Sequence, residues 1–251
     1  MITKYDCRLN GVLLSSLDAT ICILDIREEP KVRLSAASGF GPGQQLLLRE
    51  RESLTVQVVF AIHETIITRR TAVIRAIRSW AEKGGTLATS DRPGQQLQVV
   101  CSSVPGFSAA DWTEALTLTF TTTRCPYWED KDNTSYASDG TVTMTAPGTA
   151  DETPVTAMVV NKGSAAMTRL TLQCGTTRMD FEGISLPAGN MFMLLYSSGN
   201  LMATVGGKSV LACRTSDSDD ELLAPCGRAA TAYASGDQPL TVTFSVKGRY
   251  L

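Results

Sequence analysis

Apolar and polar residues alternate along most of this chain, the pattern of strands that bury one face and wet the other. In "SLTVQVVF" the alternation places Leu54, Val56, Val58 and Phe60 on one side. In "ALTLTFTTT" it places Leu116, Leu118 and Phe120 opposite Thr117, Thr119 and Thr121. Threonine-rich strands with a single apolar face suit antiparallel sheets. Turn formers punctuate the pattern at 10–11 (NG), 39–43 (GFGPG), 91–94 (DRPG), 147–148 (PG) and 198–200 (SGN). Beyond residue 140 come "TVTM", "TAMVVN", "RLTLQC", "MFMLLY", "KSVLAC" and "LTVTFSV", all read as short strands divided by Gly, Ser, Asn and Asp. Together they predict an antiparallel β-sandwich over 141–251. The polar, turn-rich "EDKDNTSYASDG" at 129–140 reads as a linker after a first domain over 1–128.

Residues 68–87, "TRRTAVIRAIRSWAEKGGTL", break the alternation and read as the one confident helix. At helical spacing Val73, Ile74, Ala76, Ile77, Trp80 and Ala81 share one arc, which would pack on a sheet. Val73, Ile77 and Trp80 are the expected anchors, with Thr68 capping the start and Gly84–Gly85 ending the helix in a left-handed turn. The basic residues Arg69, Arg70, Arg75, Arg78 and Lys83 are scattered around this arc, and Glu82 lies among them. A helix that grips phosphate needs convergent cations, so a packing role is the reading adopted. The fold class is therefore mainly β with one helix: a sheet-and-hairpin domain carrying the helix, then the sandwich.

Composition adds little to this and excludes more. Across 251 residues the formal net charge is −2, too near neutral for general attraction to a polyanion. Residues 1–128 hold 14 basic and 12 acidic side chains, and residues 129–251 hold 9 and 13, so the halves differ in character. The start, "MITKYDCRLNGV", has no apolar core of a secretory signal, and no apolar run approaches the ~18 residues of a membrane span. The 7 cysteines form no CxxC pair and read as small apolar thiols in a reducing compartment.

Chemistry is sparse. The only histidine, His63 in "FAIHETII", lacks the second histidine of a zinc-protease helix, since position 67 is Ile67. It reads as an outward-facing strand residue. No GxSxG occurs, and "GFGPGQ" has neither P-loop spacing nor its Lys-Ser/Thr. Asp217, Asp219, Asp220 and Glu221 cluster in "DSDDEL" but lack the glycine and distant glutamate of an EF-hand, so a solvated loop is the better reading. No catalytic residue, cofactor or metal ligand is assigned, and the chain is expected not to be an enzyme. A peptidoglycan hydrolase fused to a larger assembly has no anchoring motif here.

Three stretches taken in order carry a family likeness. These are "RSWAEKGGTLATSDRPGQQLQV" at 78–99, "DWTEALTLTFTTTRCPYWED" at 111–130 and "LTVTFSVKGRYL" at 240–251. Their order and spacing over the whole chain resemble the distal tail (Dit) proteins of long-tailed, non-contractile phages and prophages. The resemblance implies an N-terminal domain that forms a six-membered ring at the tail tip and a galectin-like C-terminal sandwich. It also implies partners: further copies of the chain, the tail tube protein above, a tail-associated lysin or fibre protein below, and a receptor-binding protein. DNA would pass through the ring without sequence-specific contact, and the protein would sit in the virion tail after assembly in the host cytoplasm. The alternative is a carbohydrate-binding module, with Tyr196, Tyr233 and the surroundings of Asn200 as the glycan contacts. The absence of tryptophan after Trp128 counts against it.

Overall fold

Leu54, Val56, Val58 and Phe60 are all almost wholly buried, and so are Leu116, Leu118 and Phe120 on a neighbouring strand. They belong to the main sheet of the first of two compact units, Met1–Trp128 and Glu129–Leu251. The structure, a computed structural model, describes residues 6–38, 44–106, 115–197 and 200–251. The expected turn at 39–43, residues 198–199 of the turn at 198–200, and the start of the 111–130 stretch lie outside the described residues.

The first unit contains β1 (Cys7–Leu9), β2 (Val12–Leu13), β3 (Ile21–Ser38), β4 (Gln44–Ile62), α1 (Ile67–Ala81), β5 (Gly85–Thr89), β6 (Gln95–Ser103) and β7 (Leu116–Thr122). Its strands run in the order β2-β1-β5-β6-β7-β4-β3, with every pairing antiparallel. Asn10 and Gly11, both at positive φ (50° and 85°), make the tight turn between β1 and β2.

The helix starts one residue before Thr68, and its N-cap, Ile66, has no side-chain cap. Thr68 therefore cannot cap it. Glu64 instead takes the Ile66 N–H at 2.8 Å. The buried face is Arg70, Val73, Ile74, Ile77, Trp80 and Ala81. Ala76 is exposed, because the helix seats its Val73–Trp80 side more squarely than the wide arc suggested. Gly84, at φ 56°, closes the end by donating to Ala81 O.

The chain enters the second unit inside β8 (Trp128–Asp130). There follow β9 (Thr134–Ser138), β10 (Thr141–Thr145), β11 (Glu152–Asn161), β12 (Met167–Cys174), β13 (Thr177–Leu186), β14 (Met191–Ser197) and β15 (Asn200–Val205). The remaining strands are β16 (Lys208–Ser209), β17 (Leu223–Pro225), β18 (Ala229–Gly236), β19 (Leu240–Val246) and β20 (Arg249–Tyr250). A four-stranded sheet, β10-β18-β12-β13, faces a larger one, β16-β15-β14-β11-β19-β9, with β17 beside the start of β11. Between them Phe181 and Phe192 meet edge to face at 5.0 Å.

Two expectations change here. Residues 129–140 are not a linker: β9 pairs with β19 from Thr134↔Val246 to Ser138↔Val242, and the Tyr136 hydroxyl donates to Thr145 O at 2.7 Å. The strand lies on a sheet edge and buries no residue fully, so it carries no apolar signal. "KSVLAC" is only a two-residue strand followed by a 3-10 turn over Leu211–Cys213.

Candidate functional site

The feature that stands out from the first unit is the length of its β3–β4 hairpin. β3 and β4 pair from Ile21↔Ile62 out to Ser38↔Gln44, with register shifts at Ile23/Asp25, Lys31/Val32 and Ser35/Ala36. β7 pairs with β4 only between Thr55 and Phe60. Beyond Pro30↔Leu54 the hairpin is therefore a two-stranded ribbon, reaching roughly 25–30 Å past the sheet at ~3.3 Å per residue. Pro30 fits because β3 is an edge strand, whose outer side needs no ladder donor.

A ribbon of two strands has no second layer to bury against. Val32 is 38% exposed and Leu34 is 64% exposed, and Lys31 and Glu52 pair across it at 2.8 Å. Its root, by contrast, is fastened. Arg92, in the turn before β6, grips Glu28 of β3 through Nε to Oε1 at 2.7 Å and Nη2 to Oε2 at 2.9 Å. Trp128 donates its indole N–H to the same Oε1 at 3.1 Å, and the Arg92 guanidinium lies 5.3 Å from the Trp128 ring. Trp128 is fully buried. No sequence motif links the members of this cluster, which stand at positions 28, 92 and 128.

The helix reaches across the sheet from β7 to β2. Val73, Ile77 and Trp80 are 6%, 0% and 4% exposed. Trp80 meets Phe120 of β7 edge to face at 6.0 Å and donates its indole N–H to Val12 O of β2 at 3.1 Å. Asn10 joins helix end to turn: its Nδ2 donates to Gly84 O at 2.6 Å and its Oδ1 accepts from Thr86 N–H at 2.9 Å.

The other sequence-derived sites are dispersed. His63 is exposed and lies one residue beyond β4, not within the strand, with its backbone N–H on Thr20 O at 2.8 Å. Among the described residues no group of three His, Cys, Asp or Glu side chains is placed to hold a metal ion. Asp219 takes the backbone N–H of Arg178 at 2.6 Å, and Asp220 pairs with Arg214 at 3.1 Å. All seven cysteines are free thiols. Burial first, and the Asp6 charge second, push the Cys7 thiol far above its ordinary value. Among the described residues, no helix is long and apolar enough to cross a membrane.

Tyr196 and Tyr233 stand on different sheets, in β14 and β18. The Tyr196 hydroxyl accepts the Leu222 N–H at 2.6 Å, and burial pushes its pKa up to about 12. Tyr233 is 38% exposed.

No protein-family model matches the chain, and no curated protein matches it in sequence. Among solved structures, the Dit protein of SPP1 superposes with a TM-score of 0.76 at 13% identity, covering 97% of this chain and 98% of that one. The chain has the Dit fold. The SPP1 Dit structure is described as a paradigm of the hub adsorption apparatus in phages that infect Gram-positive bacteria. Chains of the phage P2 baseplate in its activated conformation align at lower similarity. The calcium form gives a TM-score of 0.49 at 6% identity over 99% of this chain, and the strontium form gives 0.45 at 6% over 97%. The likeness to the SPP1 Dit protein, over 97% of the chain, spans both compact units.

Proposed function

We propose that this chain is a structural hub of a phage tail tip: a subunit of a six-membered ring that joins the tail tube to a tail-associated lysin or fibre protein. The observation that carries this reading is the fold likeness to the SPP1 hub protein over both units at once. The ribbon supports it. An isolated two-stranded hairpin is marginal in water, so a ribbon of this length is expected to gain its order from a neighbour. Beyond Val32↔Arg51, where Arg51 is still held by Pro126 O and the Tyr127 ring, its described backbone edges pair with no third strand. A cyclic ring needs two different contact surfaces per subunit, and a ribbon with its receiving sheet edge supplies such a pair. The near-neutral charge of −2 suits a channel through which DNA slides.

Negative-stain microscopy of the purified chain tests the proposal, with a six-fold ring around a central hole as the expected image. Replacing residues 32–52 with a two-residue Asn-Gly turn, which closes on the Lys31↔Ser53 pair, should leave folded single subunits and no ring. Rings that persist without the ribbon would move the contact elsewhere. Single subunits from the intact chain at high concentration, with tube protein added, would sink the hub reading.

A further inference from the structure

The outer face of the four-stranded sheet carries side chains that packing does not require. On β18, Ala230, Ala232 and Ala234 face the core, and Thr231, Tyr233 and Ser235 point the other way. On β12, Leu170, Leu172 and Cys174 are buried, with Thr171 and Gln173 outside. On β13, Met179 and Phe181 are buried, with Arg178 and Asp180 outside. The register sets Thr141, Tyr233, Gln173 and Arg178 in one row across all four strands. The next row holds Ser235, Thr171 and Asp180. With strands ~4.8 Å apart and alternate residues ~7 Å apart, these side chains share a patch roughly 15 Å by 7 Å.

Tyr233 has polar cross-strand neighbours, Thr141 and Gln173, and among the described residues its ring pairs with no other aromatic. A flat ring is thus presented on a polar ground. Beside it the donors and acceptors are already fixed. Arg178 donates Nε to Asp180 Oδ2 at 2.8 Å and Nη2 to Oδ1 at 3.0 Å, and the Thr171 hydroxyl donates to Oδ1 at 2.5 Å. Along the outer edge of β13, the Asp180 N–H donates to Ser218 Oγ at 2.8 Å. The Arg178 side chain is nevertheless 57% exposed, and the pair leaves its remaining N–H donors turned to solvent. Gln173 uses its Nε2 on Gly175 O and keeps its carbonyl oxygen available.

The chemistry selects the ligand. Arg178 is neutralised by Asp180 and the Asp219 carboxylate lies alongside on the Arg178 N–H, so the face offers no net positive charge to an anion, and among the described residues no three such groups converge to hold a metal ion. A single exposed ring is too little apolar area for the core of a protein interface. Paired donors and acceptors beside one aromatic ring match vicinal hydroxyls and the C–H face of a sugar. We propose that this face is a saccharide site, with Tyr233 stacking on a neutral sugar ring and Arg178, Asp180, Gln173 and Thr171 exchanging hydrogen bonds with its hydroxyls. Tyr196 has no part in it, since it lies on the other sheet with its hydroxyl engaged. The site is independent of ring formation, which the hub reading assigns to the first unit.

The test is saturation-transfer NMR on the full chain with maltose, lactose, cellobiose and chitobiose as probes. At least one should bind with Kd of about 1 mM, and Tyr233→Ala and Arg178→Ala should each weaken it about tenfold or more. Tyr233→Phe should keep the binding, because the ring does the stacking. Circular dichroism should be unchanged in all three variants, and rings seen by microscopy should survive in Tyr233→Ala. Absence of transfer from every probe at about 20 mM, well above the expected Kd, would overturn the site. So would binding that Tyr233→Ala leaves intact, or loss of the ring in that variant, which would make the face an assembly contact.

Discussion

Asn161 shows how much one residue can hold. It is fully buried at the end of β11, where its Nδ2 donates to Ala165 O at 2.8 Å and to Leu186 O at 2.9 Å. Its Oδ1 accepts the Gly163 N–H at 2.8 Å. Since Leu186 ends β13, this side chain ties the two sheets of the second unit together. Asn161→Ala would strand three backbone groups, each costing about 1–3 kcal/mol when left unpaired in the interior. A loss of several kcal/mol is expected by urea denaturation, and a loss below about 1 kcal/mol would mean that water replaces the amide. Gly85 is the counterpart in the first unit. Its φ of 115° is costly for an L side chain, and a Cβ there would collide with the Asn10 amide. Gly85→Ala should cost about 1–3 kcal/mol, lowering the denaturation midpoint of the first unit. Tyr196 gives a pH signature. Its folded-state pKa, about 12, lies above the usual phenol value near 10. Its contribution is thus fully present below about pH 10 and is lost as pH rises from 10 toward 12. Tyr196→Phe should flatten that alkaline loss in stability measured across the same range.

At the scale of elements, the root of the hairpin depends on Glu28, Arg92 and Trp128. Arg92→Ala removes two charge-assisted bonds and the cation over the Trp128 ring. A stability loss of about 1.5–3 kcal/mol is expected by urea denaturation, with Arg92→Lys recovering only part because a point charge cannot grip both oxygens. An Arg92→Ala chain as stable as the parent would show that the clamp is not needed. The contrast between this hairpin and its neighbours explains what the sequence made legible. Leu54 to Phe60 and Leu116 to Phe120 alternate because one face of each is buried against a second layer. Past the root of β3, the stretch "PKVR" has water on both faces, so no period of two survives, and a proline inside it argues against a strand. β9 was hidden for a similar reason: as an edge strand with only half-buried and exposed residues, it looks like a linker. The helix was plain in its anchors but not at its ends. Its first turn has no side-chain cap, and Glu64 takes only the N–H of the cap residue Ile66, so no Ser/Thr capping rule marks its start. The patch around Tyr233 was half legible: Tyr233 could be named as exposed, but its neighbours Gln173 and Arg178 come from register alone.

For the molecule as a whole, two compact units with separate cores should unfold as two transitions, and substitutions can assign them. Trp80→Ala removes the Phe120 contact and the bond to Val12 O, so it should lower one transition, by about 3–5 kcal/mol for a buried aromatic. Asn161→Ala should lower the other. Assembly then distinguishes the units by mass action. A contact made only by folded subunits stabilises the unit that makes it, and its midpoint rises with protein concentration. If the ribbon builds the ring, the Trp80 transition should climb across a hundredfold concentration range while the Asn161 transition stays fixed. Replacing residues 32–52 with the Asn-Gly turn should abolish that climb without lowering the midpoint measured at the dilute end. Calorimetry at several concentrations reads both outcomes. Concentration dependence in the Asn161 transition instead would transfer the assembly contact to the sandwich, and would leave the long hairpin of the first unit without the partner its exposed Leu34 and open edges require.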